Sequence, residues 1–256
     1  MDLTGNTVFI TGASSGIGRS CALKFAELGA QVLISARRKG RLEEVANEIR
    51  ARWKKEVYAF ELDVRDEKKV DEAIHRLPAA WSAIDILVNN AGLSRGFDKI
   101  QEGKVEDWDE MVDTNVKGLL YVTHSVVPGM IKRNKGTIIN IGSIAGDEAY
   151  PRGNVYAATK AAVDSLTRGM RMDLVDTPIR VCSVDPGLVQ TEFSEVRFRG
   201  NAERARKVYE GITPLSPDDI ADAVAFCATR PPHVQIGRMT MYPTSQASTT
   251  LVDRKT

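Results

Sequence analysis

Two side chains that can move a proton lie four positions apart, Tyr156 and Lys160. On a helix, this separation places both side chains on the same face. A phenol has a reference pKa of about 10, and a neighbouring ammonium favours its phenolate form. The lysine can therefore make the tyrosine a usable acid and base near neutral pH. The interconversion of an alcohol and a ketone needs such a group, because a proton moves at oxygen while a hydride moves at carbon.

Ser143 and Asn115 are the polar residues that we expect to support this pair. Ser143 follows a β-branched run, where its hydroxyl can hydrogen-bond a substrate oxygen and stabilise developing negative charge. Asn115 lies inside a long predicted helix, and asparagine disfavours helix interiors because its amide competes for backbone hydrogen bonds. We therefore expect a local break at Asn115 that holds a water between Lys160 and solvent. Taken singly, each of the four residues also fits an ordinary structural role.

A glycine-rich loop with the spacing G-x-x-x-G-x-G follows the first apolar run of the chain. Its candidate cofactor-binding residues are Gly12, Ser14, Ser15, Gly16, Ile17 and Gly18. Glycines let backbone N–H groups approach a pyrophosphate closely, and the following helix directs the positive end of its dipole at the phosphates. A tight turn without a ligand would use the same glycines, but the strand before and the helix after favour dinucleotide binding.

The tip of the second predicted strand indicates which dinucleotide binds. An NAD site has an acidic residue there that binds the ribose hydroxyls and repels a 2′-phosphate. This chain instead has Ala36 followed by Arg37 and Arg38, and the planar fork of arginine suits phosphate recognition. Ser14 can add a hydroxyl to the same phosphate. A solvated basic turn is the alternative, but the lost carboxylate and the two arginines together predict NADP(H).

Two further strand ends are expected at the cofactor. Asp63 and Val64 follow the third predicted strand and are placed to meet the adenine ring, whereas Asn90, Ala91 and Gly92 follow the fourth and are placed to line the ribose. Ligands of open parallel sheets bind at these carboxyl edges. For the neighbouring Asn89, a hydrogen-bonding role within the loop is at least as well supported as a cofactor contact.

Short β-branched runs alternate with helical patterns along the whole chain. Predicted strands cover about 7–11, 31–35, 57–62, 85–89, 136–141, 179–184 and 236–242; predicted helices cover about 16–28, 40–53, 67–77, 108–133, 154–176 and 217–229, with an irregular helical segment up to about 211. Such alternation requires crossover connections. We expect an α/β fold with one Rossmann-like, doubly wound sheet of about seven parallel strands and helices on both faces. It forms a single domain, 1–256, with a cofactor half of about 1–145 and a catalytic and substrate half of about 146–256.

Composition excludes several classes of protein. The chain has 256 residues and a net charge of +1, without the basic excess of a nucleic-acid binder. No apolar run is long enough to span a membrane, and the amino terminus lacks a signal-peptide pattern, so we expect a cytoplasmic protein. Cys21, Cys182 and Cys227 form no C-x-x-C pair and are expected to be buried thiols. The three histidines are scattered, and we expect no metal site.

The motifs, taken together, resemble the short-chain dehydrogenase/reductase family in order and spacing. They are Thr11-Gly12-x-x-x-Gly16-x-Gly18, Asn89-Asn90-Ala91-Gly92, Asn115, Ser143, Tyr156-x-x-x-Lys160 and Pro186-Gly187, and the resemblance covers nearly the whole chain. It implies a catalytic tetrad of Asn115, Ser143, Tyr156 and Lys160, with the last two also touching the cofactor. It further implies that Pro186, Gly187, Val189 and Thr191 approach the nicotinamide. It also implies a homotetramer, or a dimer, formed through the helices at 108–133 and 154–176.

Residues 153–160 and 186–198 resemble a finer subgroup, the NADP-dependent 3-hydroxy acid dehydrogenases. This implies reversible oxidation of the 3-hydroxyl of L-serine, allo-threonine or 3-hydroxypropionate, the last giving malonic semialdehyde. A small carboxylate substrate needs a cation near the pocket, and Arg197 is our candidate, with Ser143 on the substrate oxygen. Arg152 and Arg199 are weaker candidates.

Other functions stay open from sequence alone. Asp147 or Glu148 would suit a substrate amino group, although a solvated surface position fits them equally well. The enzyme alternative is a reductase of a larger carbonyl, such as a 3-oxoacyl thioester, a sugar, a steroid or a general ketone. A protein that senses nucleotide without turnover is the alternative from another class, and the intact Tyr156–Lys160 pair argues against it.

Overall fold

The computed structural model describes residues 2–255. The strands are β1 (Thr7–Thr11), β2 (Gln31–Ala36), β3 (Val57–Glu61), β4 (Ile84–Asn89), β5 (Thr137–Ile141), β6 (Arg180–Pro186) and β7 (Arg238–Met241). The helices are α1 (Gly16–Glu27), α2 (Lys39–Trp53), α3 (Glu67–His75), α4 (Val105–Val112), α5 (Gly118–Arg133), α6 (Asn154–Asp173), α7 (Phe193–Arg197), α8 (Ala202–Lys207) and α9 (Pro217–Ala228).

All seven strands pair in parallel, in the order β3-β2-β1-β4-β5-β6-β7. The chain builds outward from β1 to β3 and then returns to place β4 on the other side of β1. This reversal leaves a crevice at the carboxyl ends of β1 and β4, which is where open α/β sheets bind ligands. The predicted fold class is confirmed.

Alternation along the buried strands divides the core between the two faces of the sheet. Val8 and Ile10 of β1 pack into the cluster that includes α1, α2 and α9, whereas Phe9 between them faces the cluster that includes α3 and α5. All five residues of β1 and of β5 are buried. A strand covered on both faces reads as a continuous apolar run, which is why the sequence showed such runs without polar alternation.

The predicted helix at 108–133 differs most from the structure. It begins three residues earlier, at Val105, and a π-helical turn, Asp113–Lys117, divides it into α4 and α5. The predicted helix at 154–176 ends at Asp173, and the irregular segment contains the short helices α7 and α8. The other element boundaries differ from prediction by a few residues, as is usual where helix ends fray.

The three cysteines are buried and free, as predicted. Among residues 2–255, no group of three or more acidic, histidine or cysteine side chains is arranged to hold a metal ion. Within the same part of the chain, none of the helices has the length and apolar character needed to cross a bilayer.

Candidate active site

The glycine loop turns sharply between β1 and α1. Gly12 and Gly16 have φ angles of +66° and +52°, in the left-handed region that favours glycine. A Cβ on Gly12 would lie 2.9 Å from Cα of Ala91, so the loop and the β4 end are in close contact. Gly18 does not face the cavity; a side chain there would meet Asn90 Nδ2 at 2.4 Å. Its absent side chain allows close packing, whereas Gly12 and Gly16 line the space where a pyrophosphate would lie.

The two arginines after β2 have different partners, and only Arg38 contacts the glycine loop. Arg38 donates from Nε to Ser14 Oγ at 3.2 Å and from Nη2 to Ser15 Oγ at 2.6 Å. Arg37 instead lies 3.6 Å from the carboxylate of Glu110 on α4. Two serine hydroxyls and two guanidiniums at one strand end form the kind of donor set that binds a phosphate monoester.

The ends of β3 and β4 close the same crevice. Asp63 is held in a bidentate pair by Arg65, and Asp63 and Val64 both line the cavity. Asn90 donates from Nδ2 to the carbonyl of Thr11 at 2.8 Å, which ties β4 to the start of the glycine loop. Asn89 is buried and donates to Thr123 and Asn140, each at 2.9 Å, in keeping with the structural alternative for that residue.

A single cavity of about 760 Å³ connects these strand ends to Ser143, Tyr156 and Lys160, whereas Asn115 lies outside its wall. It is large enough for a dinucleotide cofactor together with a small substrate. The predicted cofactor-binding residues in its wall are Gly12, Ser14, Ser15, Gly16, Ile17, Arg37, Arg38, Asp63, Val64, Asn90, Ala91, Gly92, Tyr156, Lys160, Pro186, Gly187, Val189 and Thr191. These features fit the expected cofactor. The glycine loop leaves room for a pyrophosphate because its glycines lack Cβ atoms, the N-terminus of α1 lies behind that loop, and the end of β2 is basic.

Ser143, Tyr156 and Lys160 meet at the inner end of the cavity. Ser143 caps a short 3₁₀ turn at the end of β5, where its Oγ accepts the N–H of Ala145 at 3.1 Å. Tyr156 and Lys160 lie on α6 and are both less than a tenth exposed. Lys160 donates from Nζ to the carbonyl of Ile141 at 2.8 Å, and its Nζ lies 6.0 Å from the centre of the Tyr156 ring.

Burial shifts the acidities of this pair in directions that differ from the simple expectation. It raises the pKa of Tyr156 to about 12, assisted by Tyr150 and opposed by Arg197 and by a hydrogen bond with Ser143. Burial also lowers the pKa of Lys160 to about 8, against the opposing effect of Asp185. We expected the lysine to lower the pKa of the tyrosine, but burial raises it instead.

Asn115 lies within the π-helical turn, so the local break expected there is present. Its Oδ1 accepts the N–H of Leu93 at 2.8 Å, and its Nδ2 donates to the Leu93 carbonyl and to Thr159 Oγ1. A Cβ on Gly92 would lie 3.3 Å from Asn115 Oδ1 and 3.7 Å from Lys160 Nζ. Asn115 therefore joins the β4 end to α6, close to the lysine ammonium.

Arg197, at the end of α7, lies over the catalytic tyrosine candidate. Its guanidinium carbon is 5.3 Å from the centre of the Tyr156 ring and 5.1 Å from that of Phe193. It donates from Nε to Ser94 Oγ at 2.9 Å and from Nη2 to Tyr150 Oη at 2.6 Å. No carboxylate of the described residues 2–255 forms an ion pair with it. A positive charge without a counterion thus lies directly beside the tyrosine.

The weaker substrate candidates have other partners. Arg199 pairs with the buried Asp107, and Asp147 forms an ion pair with Arg238. Glu148 accepts the N–H of Thr249 at 3.0 Å, and Arg152 lies over the Phe97 ring. These contacts support the surface or structural interpretation of the four residues.

Sequence reasoning missed several residues of the cavity wall. Tyr150 and Phe193 enclose Tyr156 on the substrate side, and Gln246 accepts the N–H of Leu188 at 2.9 Å beneath the Pro186–Gly187 turn. Arg95 donates from Nη1 to the Val196 carbonyl at 2.6 Å and is paired with Glu110. Residues in loops and short helices show no hydrophobic periodicity that would identify them. The aromatic or basic type of Tyr150, Phe193 and Arg95 was the one available signal, and Gln246 had none.

Comparison with known proteins extends the likeness over the whole chain. A model of the short chain dehydrogenase family matches residues 6–202. The NADP-dependent 3-hydroxy acid dehydrogenase YdfG of Salmonella typhi is 47% identical over 241 residues, covering 94% of this chain and 96% of that protein. The NADP-dependent 3-hydroxy acid dehydrogenase of Schizosaccharomyces pombe is 42% identical over 254 residues, covering 99% and 98%.

Solved structures agree with these sequence matches. A closed form of serine dehydrogenase complexed with NADP+ superposes with a TM-score of 0.92 at 43% identity, covering 98% of this chain and all of that one. Serine dehydrogenase from Escherichia coli superposes with a TM-score of 0.82 at 40% identity, covering 94% and 99%. The chain therefore belongs to the short-chain dehydrogenase family of oxidoreductases.

Proposed function

We propose that the enzyme uses NADP(H) to interconvert the 3-hydroxyl and 3-oxo forms of small 3-hydroxy acids, with Tyr156 as the proton donor and acceptor. L-serine, allo-threonine and 3-hydroxypropionate represent the substrate class. The observation that carries the proposal is the guanidinium of Arg197, 5.3 Å from the Tyr156 ring and without a carboxylate partner among residues 2–255. A small acid that placed its hydroxyl at Tyr156 would bring its carboxylate to that charge.

NADP(H) is the cofactor, and when bound it supplies a nicotinamide carbon that accepts or donates the hydride. The loop between Gly12 and Gly18 would hold the pyrophosphate, and Arg37, Arg38 and Ser14 would hold the 2′-phosphate. Support comes from the donor set at the β2 end and from relatives that are named as NADP-dependent. The strand ends at Asp63–Val64 and Asn90–Gly92 would enclose the adenosine and the ribose.

The chain's own residues handle the proton. In oxidation, Tyr156 acts in its phenolate form: the substrate hydroxyl gives its proton to the deprotonated Oη as the hydride leaves carbon, and Ser143 Oγ hydrogen-bonds the substrate oxygen as charge develops on it. Lys160 provides the ammonium that stabilises the phenolate, and Asn115 holds the backbone near Lys160, where a water would return protons to solvent. In reduction, burial keeps the phenol protonated at neutral pH, which is the form that donates a proton.

The wall beside Tyr156 favours an acid over the alternative substrates. Tyr150, Phe193 and Arg197 surround the tyrosine, and the ring centres of Tyr156 and Phe193 lie 5.4 Å apart. A charged, aromatic enclosure suits a short anionic substrate, whereas a steroid or acyl chain needs a long apolar surface.

Arg197→Lys and Arg197→Ala test the substrate class. Loss of a charge-assisted contact to a carboxylate raises KM for L-serine about 10- to 100-fold in Arg197→Ala, with a smaller rise in Arg197→Lys. A neutral secondary alcohol serves as the matched substrate and loses much less. The measurement is NADP+ reduction followed at 340 nm. Equal losses for the acid and the neutral alcohol would show that Arg197 supports the fold of the pocket and does not bind a carboxylate.

We further propose that the chain forms a homotetramer, or a dimer, through α4–α5 and α6. Large apolar side chains on these helices are exposed, including Val105, Leu120 and Ile131, and Met172 is 75% exposed. Exposed large apolar side chains on these helices are what an associating surface would use. Light scattering after size-exclusion chromatography measures the state, and a monomer at micromolar concentration would refute this part of the proposal.

A further inference from the structure

Glu192, the residue immediately before α7, joins two regions that are far apart in the sequence. Its Oε2 accepts a hydrogen bond from Arg38 Nη1 at 2.9 Å, and its Oε1 accepts one from Arg41 Nη1. Both arginines belong to the start of α2, at the strand end where the 2′-phosphate is expected. The carboxylate therefore ties the substrate segment to the adenosine end of the cofactor site.

The two edges of the Arg38 guanidinium bind different partners. Nε and Nη2 point to the hydroxyls of Ser14 and Ser15, whereas Nη1 points to Glu192. A guanidinium is planar and holds its donors in a fixed fork, so it can bind one anion on each edge at the same time. A phosphate on the serine edge would fix the plane of Arg38 and leave Nη1 directed at the carboxylate. The phosphate thus has no need to displace Glu192.

The helix that follows depends on contacts at its two ends. α7 is five residues long, too short to be stable alone. At its far end, the carbonyls of Val196 and Arg197 accept hydrogen bonds from Arg95 and from the N–H of Gly96. At its near end, Glu192 makes the ionic contact with α2. Because Arg197 is on this helix, the position of Glu192 affects where the substrate carboxylate is bound.

We propose that Glu192 is a positioning residue that couples recognition of the 2′-phosphate to the placement of α7 and Arg197. Two arginines, Arg38 and Arg41, face the carboxylate of Glu192 at this corner, whereas Arg37 beside them pairs with Glu110. A phosphate on the serine edge would hold the Arg38 guanidinium in the plane in which Nη1 meets Glu192. Binding of the phosphate therefore strengthens closure of the substrate segment. The inference rests on the proposed cofactor but not on the proposed substrate.

Limited trypsin digestion tests this coupling without any hydroxy acid. Exposed basic residues follow α7, among them Arg199, Arg204 and Arg206, and cleavage there reports how often the segment opens. Two probes differ only in the 2′-phosphate: adenosine 2′,5′-bisphosphate and 5′-AMP. At saturation of each, the bisphosphate slows cleavage of the wild-type segment at least about fivefold relative to 5′-AMP, the lower end of usual coupling between sites.

Glu192→Gln removes the charge while keeping the size of the side chain. In this variant the two nucleotides give equal cleavage rates. Its calorimetric Kd for the bisphosphate weakens by no more than the protection factor measured in the wild type, because coupling between two sites is reciprocal. Arg41→Gln breaks the other half of the bridge and also loses the difference in cleavage. Asp222→Asn is the matched control, because its exposed carboxylate joins α1 to α9 through Lys24 at 2.8 Å, and it behaves as the wild type.

Several results would overturn the proposal. Equal protection of the wild type by both nucleotides, or full protection retained in Glu192→Gln, would show that the carboxylate does not couple the two sites. Tighter binding of the bisphosphate by Glu192→Gln would show that Glu192 competes with the phosphate. A wild type that fails to bind the bisphosphate would overturn the cofactor and the coupling together, whereas inactivity on L-serine alone would overturn only the substrate.

Discussion

The site has a buried region, formed by Tyr156 and Lys160, and a charged rim, formed by Arg38, Arg41 and Glu192. Charges in the two regions differ in how far solvent screens them. At the buried end, Tyr156 and Lys160 are 9% and 8% exposed, and burial raises the pKa of Tyr156 to about 12 and lowers that of Lys160 to about 8. At the rim, the side chains of Arg38, Arg41 and Glu192 are 44%, 48% and 36% exposed. Interactions between exposed charges are screened and individually weak.

Because of this difference, we expect the buried region to control the catalytic rate and the rim to control selectivity for the cofactor. A buried acid and base act in a low-dielectric site, where one group can contribute several orders of magnitude to a rate. The rim distributes phosphate recognition over several guanidiniums and hydroxyls. Changes in the buried region are therefore expected to affect kcat, and changes at the rim to affect the choice between NADP(H) and NAD(H).

The largest expected effect follows from Tyr156→Phe. The substitution keeps the ring and its packing but removes the proposed proton donor and acceptor, so kcat/KM falls about 10³-fold or more. The Kd for NADP+, measured by calorimetry, changes much less. Tyr150→Phe is the matched control: its phenol is half-buried beside Tyr156, but its Oη accepts from Arg197, so KM rises modestly and kcat is largely kept. Comparable losses of kcat in both variants would refute the division of roles.

The sequence predicted the sheet and the convergence of the catalytic residues better than it predicted burial and the contacts between distant loops. The parallel sheet and the convergence of Ser143, Tyr156 and Lys160 follow from strand–helix alternation, because parallel strands end at one edge. The break at Asn115 was predictable from the poor helix preference of asparagine, although its π-helical form was not. The direction of the Tyr156 pKa shift was missed, because the extent of burial depends on Tyr150 and Phe193, which lie elsewhere in the chain. The contact between Glu192 and Arg38 joins distant loops, and no local pattern indicates it.

A smaller effect, on cofactor choice, is expected at the rim. Arg38→Ala removes donors to the proposed phosphate site and raises KM for NADP+ about 10- to 100-fold, the range for a lost charge-assisted hydrogen bond. KM for NAD+ changes little, because NAD+ has no 2′-phosphate. Arg37→Ala has a weaker effect, since Arg37 is drawn toward Glu110. Arg52→Ala, on the same helix but paired with Glu48, is the control. Parallel steady-state measurements with both nucleotides decide the matter, and equal effects on the two would overturn the phosphate assignment.

The smallest expected effect concerns stability and tests whether burial controls the inner region. The pKa of Lys160 is lowered from 10.5 to about 8 in the folded chain, chiefly by burial, so the unfolded chain holds this proton more tightly. Unfolding therefore takes up a proton between these two values, and the site's contribution to stability rises with pH across that window. The free energy of unfolding of the wild type, relative to Lys160→Met, increases by about 2 kcal/mol from pH 7 to pH 10. Urea unfolding of the cofactor-free protein at both pH values gives this difference.

Lys24→Met is the control for that experiment. Lys24 pairs with Asp222 and Glu27, which raise its pKa above 10.5, so its proton stays bound in both states up to about pH 10. The difference in free energy of unfolding between Lys24→Met and the wild type is therefore constant between pH 7 and pH 10. A flat difference for Lys160→Met as well would mean that water reaches the ammonium in the folded chain. The contrast between the buried region and the rim would then be wrong, because solvent would screen the charges in both regions.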